Sequence, residues 1–363
     1  MDSRFDGFQK VVNHIAHYLQ RANFIFSFVS VFINIFHFII LTRKTMRTSS
    51  TNVLMIGIAI SDICTMLTTI YKHYQLVDIE NPEWYVTSTY KYKIYMDLVA
   101  WSFHDHFRRC SSWMGVLMAT VRLVIMKKTT DNRYQNWSKP PIGCYFTALV
   151  FCVSAILSSF YSSRYLIVEN RTFALPINCA EYQDVTSRPP YSVMLAPLFS
   201  FDNMIVLRVY VMFDAIVTKF IPCISFPILT VSLLRQLRKL HNLGSTIGGK
   251  RNVENEERNE LTTKLIVFMT IAFFIAEAPL GMLYMVKVFF NGSDQIFLFS
   301  VEIAIYFTLL RTLNSISHSI FCFLMSSDYR NTIRNIIGIR GRTILSSASN
   351  KISVTSGNVI RIH

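Results

Sequence analysis

The sequence is short of charge, short of glycine, and without any residue pattern that marks catalysis. Only 16% of its 363 residues are charged, against about 25% in a typical soluble domain. Twelve glycines beside 29 phenylalanines describe a greasy chain with few flexible turns. Its seven cysteines are Cys64, Cys110, Cys144, Cys152, Cys179, Cys223 and Cys322, and all but Cys179 lie in apolar stretches. None has C-x-x-C spacing, so neither a zinc site nor a disulfide framework is indicated. There is no His-Glu-x-x-His, Gly-x-Ser-x-Gly or paired catalytic aspartate, so an intramembrane enzyme has no constellation to work with. No internal repeat is present and the prolines fall singly in non-equivalent places, which argues against a repeat-built transporter. Residues 1–21 lack a charged n-region and cleavage site, so no signal peptide is expected.

What remains is a membrane composition: 52% hydrophobic residues and a mean hydropathy of +0.35. Seven apolar spans are expected, at Phe24–Leu41, Asn52–Tyr71, Ile94–Met126, Ile142–Tyr161, Val209–Leu234, Thr262–Phe289 and Phe297–Met325. The third is too long for one bilayer unless it tilts or projects. A net charge of +14 would raise nucleic acid as a partner in a soluble protein. Here most loop cations fall on one side, in alternate loops, as at Arg43, Lys44, Arg47, Lys127, Lys128, Arg235, Arg238 and Lys239. That is the positive-inside pattern, so the N-terminus is expected outside the plasma membrane and the C-terminus in the cytoplasm, with no nucleic-acid partner. The sequons Asn170 and Asn291 then fall outside and are glycosylation candidates, whereas Asn136 falls inside. Tyr329, Ile333, Ile336 and Ile337 follow a helical period after the last span, so a short amphipathic helix on the membrane surface is expected.

The chain is organised around Arg108 to Lys128, an apolar stretch with one arginine, Arg122, near its lysine-rich end. An ionisable residue in a span is functional by default, although an arginine at a helix end can also simply snorkel.

The order of motifs resembles a rhodopsin-like G-protein-coupled receptor over roughly residues 24–337. Asn34, Asn52 and Ile58-Ala59-Ile60-Ser61-Asp62 match its first two helices, and Arg122 matches the third-helix arginine. Phe220-Ile221-Pro222, Phe273 with Pro279, and Asn314-Ser315 match the fifth, sixth and seventh. The wording at 41–50, 111–122, 276–281 and 323–330 is similar to one branch, the nematode serpentine receptor class W family, which itself resembles FMRFamide-type neuropeptide receptors.

The resemblance implies an all-α, seven-transmembrane helix bundle that is not an enzyme. Its parts would be an extracellular N-terminus at 1–23, a receptor domain at 24–325, a surface helix at 326–337 and a disordered cytoplasmic tail at 338–363. It implies an extracellular peptide or small-molecule ligand, an FMRFamide-like neuropeptide being the first reading, and a heterotrimeric G protein switched through Arg122. A chemosensory receptor for a small environmental molecule is the alternative, with a multi-span transporter further off. Asp105, Arg108, Asp214, Glu277 and Arg311 are implied as ligand-binding residues, with Glu277 paired to Arg108 or Arg311. Asp62, Ser111, Asn314 and Ser315 match a pocket for an allosteric sodium ion, with a protonated Asp62 as the plain alternative. No other cofactor is expected. Three departures stand out: Val121 replaces the carboxylate beside Arg122, Glu277 replaces the sixth-helix tryptophan, and Cys179 has no cysteine at the outer end of the third span to pair with.

Overall fold

A computed structural model describes residues 2–79, 87–127, 136–169, 191–246, 253–289 and 295–337. Its first three helices are α1 (Asp2–Leu41), α2 (Ser50–Ile79) and α3 (Thr87–Lys127). A 3-10 turn at Asn136–Ser138 leads into α4 (Pro140–Ser162), whose prolines fit a first turn that needs no N–H donors. Strands β1 (Tyr165–Glu169) and β2 (Tyr191–Leu195) then pair antiparallel, Tyr165 opposite Leu195 and Glu169 opposite Tyr191. The fifth span is α5 (Pro197–Ala215), a π turn at Ile216–Phe220, and α6 (Ile221–Thr246). It is followed by α7 (Val253–Phe289), α8 (Gln295–Met325) and α9 (Ser327–Ile336).

Among the described residues, six helices are long and apolar enough to cross a membrane. The seventh spanning helix, α8, has the length at 31 residues. It buries Arg311, Thr312, Ser315 and His318 toward the interior. Large apolar side chains such as Phe32, Phe36, Ile156 and Ile224 are exposed on the outer faces of the helices. In a bilayer those faces meet lipid, and interhelical contact falls to small and polar residues. On α1 the buried stripe reads Val12, Ala16, Asn23, Ser27, Ser30, Asn34, His37 and Leu41, spaced three, four or seven apart as one helical face requires.

That stripe extends the first helix well beyond the expected Phe24. Val12 and Ala16 are buried, and Tyr306 of α8 donates to the Val12 carbonyl at 3.1 Å. Three inward residues among many exposed polar ones carry too little hydropathy to be read as part of a span. The α3 helix sits at the centre of the bundle, with Cys110, Met114, Met118, Ala119 and Val121 fully buried. Gly143 lets α4 approach α2, since a Cβ there would lie 2.6 Å from the Ser50 carbonyl oxygen. The short α9 is anchored to the bundle as well as amphipathic. Ser326 caps its N-terminus, and Tyr329 is buried with its hydroxyl 2.8 Å from His37 Nδ1, while Ile336 and Ile337 stay exposed.

Candidate functional site

Between α2, α3, α6, α7 and α8 lies a cavity of about 40 Å³. Each water needs roughly 10–15 Å³ of such space, so the cavity holds a few waters or one small polar group. Ile58, Met66, Phe226, Met269 and Phe273 form its apolar wall. Its polar wall contains Asp62, Arg108, Ser111, Glu277, Arg311, Asn314, Ser315 and His318. The residues implied for a sodium pocket and three of those implied for a ligand site therefore share one space. Asp105 and Asp214 are not part of that lining.

The inner part of the cavity is built around Asp62. Ser111 Oγ donates to Asp62 Oδ1 at 2.9 Å, and His318 Nδ1 stands 3.3 Å from Asp62 Oδ2. Ser315 is turned toward α1, where its hydroxyl meets Ser30 Oγ at 3.0 Å and accepts from Asn34 Nδ2 at 3.0 Å. The Asn314 side-chain oxygen is buried without a hydrogen-bond partner. Oxygen donors for a hard cation are thus present. Two arginines, Arg108 and Arg311, share the cavity with them, and their charges work against a further cation.

Two ion pairs cross the bundle, and both differ from expectation. Glu277 of α7 is paired with Lys219 of the π turn, not with Arg108 or Arg311, and both partners are almost fully buried. The π turn, which ends two residues before Pro222, carries Lys219 and buries it beside α7. Gly281 leaves room for its stem, since a Cβ there would lie 3.0 Å from Lys219 Cβ. A lysine between Thr218 and Phe220 in an apolar span was the signal that could have revealed this partner.

Asp214 is likewise engaged, by Arg109. One guanidinium nitrogen donates to Asp214 Oδ1 at 2.8 Å. The other donates to the Ser154 carbonyl at 3.2 Å, Ser154 Oγ at 3.3 Å and Ser158 Oγ at 3.0 Å. Arg109 is 4% exposed and ties α3 to α4 and α5. Asp214 is accordingly engaged in holding α5 to α3. Arg109→Lys keeps the charge but loses the planar fork. It should lower stability by about 1–3 kcal/mol, the cost of leaving buried polar groups unmatched. Thermal unfolding of the purified protein in detergent reads this directly, and an unchanged midpoint would remove the staple role.

Among the described residues, the two cavity arginines have only neutral hydrogen-bond partners. Arg108 donates to the Tyr284 hydroxyl at 3.3 Å and lies over that ring, 5.3 Å from its centre. Arg311 Nη2 stands 3.3 Å from His104 Nε2. A guanidinium can only donate, so this contact assigns His104 the tautomer with its proton on Nδ1, facing Thr68 Oγ1 at 3.2 Å. Arg311 Nε has no partner although the residue is 8% exposed. Arg122 lies half-buried toward the far end of α3, three turns past Ser111. Asn170, Cys179 and Asn291 lie outside the described residues.

Comparison with known proteins agrees with this architecture. No curated protein matches the chain. The family model described as serpentine type 7TM GPCR chemoreceptor Srw matches residues 21–340, well over half the sequence. The chain belongs to the Srw family of serpentine seven-transmembrane chemoreceptors.

Proposed function

We propose that the protein receives an extracellular ligand in the cavity among α3, α7 and α8 and passes the signal along α3 to a heterotrimeric G protein at Arg122. The supporting observation is the cavity itself, whose walls hold buried charged groups contributed by α2, α3, α7 and α8. An intramembrane ionisable group is costly and persists where it has work to do. Ser111 and Gly115 line the cavity, and Met118 and Arg122 continue the same face of α3 at intervals of three and four. The cavity and Arg122 are therefore ends of one rigid element, roughly 16 Å apart at 1.5 Å per residue.

In this reading the N-terminus and the β1–β2 hairpin face outside the plasma membrane, and α9 lies on the cytoplasmic surface. Asn170 and Asn291 are then the glycosylated sequons. Of the two ligand classes, the small cavity favours a chemosensory small molecule or the tip of a peptide, with an FMRFamide-like neuropeptide as the peptide case. Cells expressing the receptor should give calcium or cAMP responses to a ligand from a panel of amidated peptides and small metabolites. A response unchanged by blocking G-protein activation would overturn the coupling.

A further inference from the structure

Among the described residues, the two arginines that line the cavity close no ion pair. Glu277 is taken by Lys219 and Asp214 by Arg109. Asp62 accepts a hydrogen bond from Ser111 and has His318 Nδ1 at 3.3 Å. Asp105 acts electrostatically on Arg108, Arg311 and Lys72 but closes no ion pair with them among the described residues. Asp62 acts on Arg311 as well, yet neither cavity arginine closes an ion pair among the described residues. Lys72 has partial compensation from the Trp101 ring, 5.4 Å away. Arg108 and Arg311 line the cavity, are buried to more than nine-tenths, and repel one another.

Buried like charges of this kind cost stability unless something neutralises them. The guanidinium group is also the side chain best matched to a carboxylate, through paired N–H donors. Arg311 Nε, buried and without a partner, is such a donor on a cavity-lining side chain.

We propose that Arg108 and Arg311 bind a carboxylate carried by the ligand. The cavity takes an organic acid or a free peptide C-terminus, and it discriminates against amides and esters. An amidated FMRFamide-type peptide lacks the group this site is built for. Binding of the acid supplies the missing negative charge, which ties α3 to α8 across the cavity. The inference rests on the receptor reading for its signal, but not for the binding step.

The test uses the full chain purified in detergent, with thermal unfolding as a readout that needs no G protein. Formate and acetate are the probes because any carboxylate site of this size admits them. Acetamide is the neutral control, and sodium chloride at equal ionic strength controls for inorganic anions. Formate and acetate should raise the unfolding midpoint where acetamide and chloride do not. Arg311→Gln and Arg108→Gln should each weaken that response about tenfold or more, as loss of a charge-assisted hydrogen bond implies. Without acid, each variant should melt at or above the wild-type temperature, because one of two repelling charges is gone.

Arginines with a purely structural role would give lower midpoints in both variants, and that result overturns the proposal. So does equal stabilisation by acetamide, by chloride, or by nothing in the panel. In receptor-expressing cells, aliphatic acids and a short peptide as free acid and amide then separate the two sources of the carboxylate. Acid-dependent stabilisation without any G-protein signal would leave the site standing and remove the receptor reading instead.

Discussion

Glu277→Gln should cost the folded protein about 3–5 kcal/mol, the penalty for leaving a buried partner charge uncompensated. Lys219 would be that stranded charge, since its side chain is 2% exposed and its salt-bridge partner is Glu277. Lys219→Met should be equally damaging, for it strands the carboxylate. The double variant Lys219→Met with Glu277→Leu removes both charges in similar volume and should recover most of the loss, because apolar replacements of buried pairs are often neutral or better. Charge reversal gives a second route: Glu277→Lys should abolish surface expression, and adding Lys219→Glu should return part of it. Reversal at Arg108 or Arg311 should not rescue Glu277→Lys, because neither is its partner. Single variants that melt within about 1 kcal/mol of wild type, or doubles no better than the singles, would show that the pair contributes little.

The same pair bears on signalling. It links the fifth span to α7 where related receptors carry a tryptophan, and a carboxylate can act there only through charge. The apolar double variant restores packing without the charge, so it separates stability from switching. A shift in basal activity or potency equivalent to about 1–3 kcal/mol of coupling is expected. Wild-type signalling in that variant would confine the pair to a structural role.

The spanning helices and the short closing helix were legible because hydropathy and helical period depend only on residue type and spacing. The shared cavity of Asp62, Ser111, Asn314 and Ser315 was legible through motif order. The pairing of Glu277 was not, and the reason is geometric. A π turn accommodates an extra residue and shifts the phase of the helix. A constant period of 3.6 residues therefore misplaces Lys219 relative to α7. Arg109 was passed over for a related reason. It is adjacent to Arg108, so the two point to different faces of α3, one toward the cavity and the other toward α4 and α5. Which face meets which neighbour is a property of the bundle. The extension of α1 to Asp2 was hidden because its inward stripe is mostly small or polar, and so carries almost no hydropathy.

Arg122→Ala is expected to abolish G-protein activation while leaving acid-dependent stabilisation of the purified receptor unchanged. Three features motivate the separation. Arg122 lies near the cationic end of α3, where Lys127 follows in the last turn, and far from the cavity lining. Its preceding neighbour is Val121, fully buried, where the rhodopsin-like pattern has a carboxylate. In the cavity wall, Phe226 of α6 packs on Gly115, where a Cβ would lie 2.5 Å from the ring, and on Phe273 of α7 at 4.7 Å between ring centres. Those contacts give α6 and α7 a packed element on which a change in the cavity can act, which is the physical requirement for coupling. An arginine that merely snorkels would tolerate alanine with signalling intact at equal surface expression. An arginine that holds the bundle together would lose stability and ligand response together. Loss of signalling alone, with the formate-induced rise in melting temperature retained, is the outcome that assigns Arg122 to the G-protein side of the mechanism.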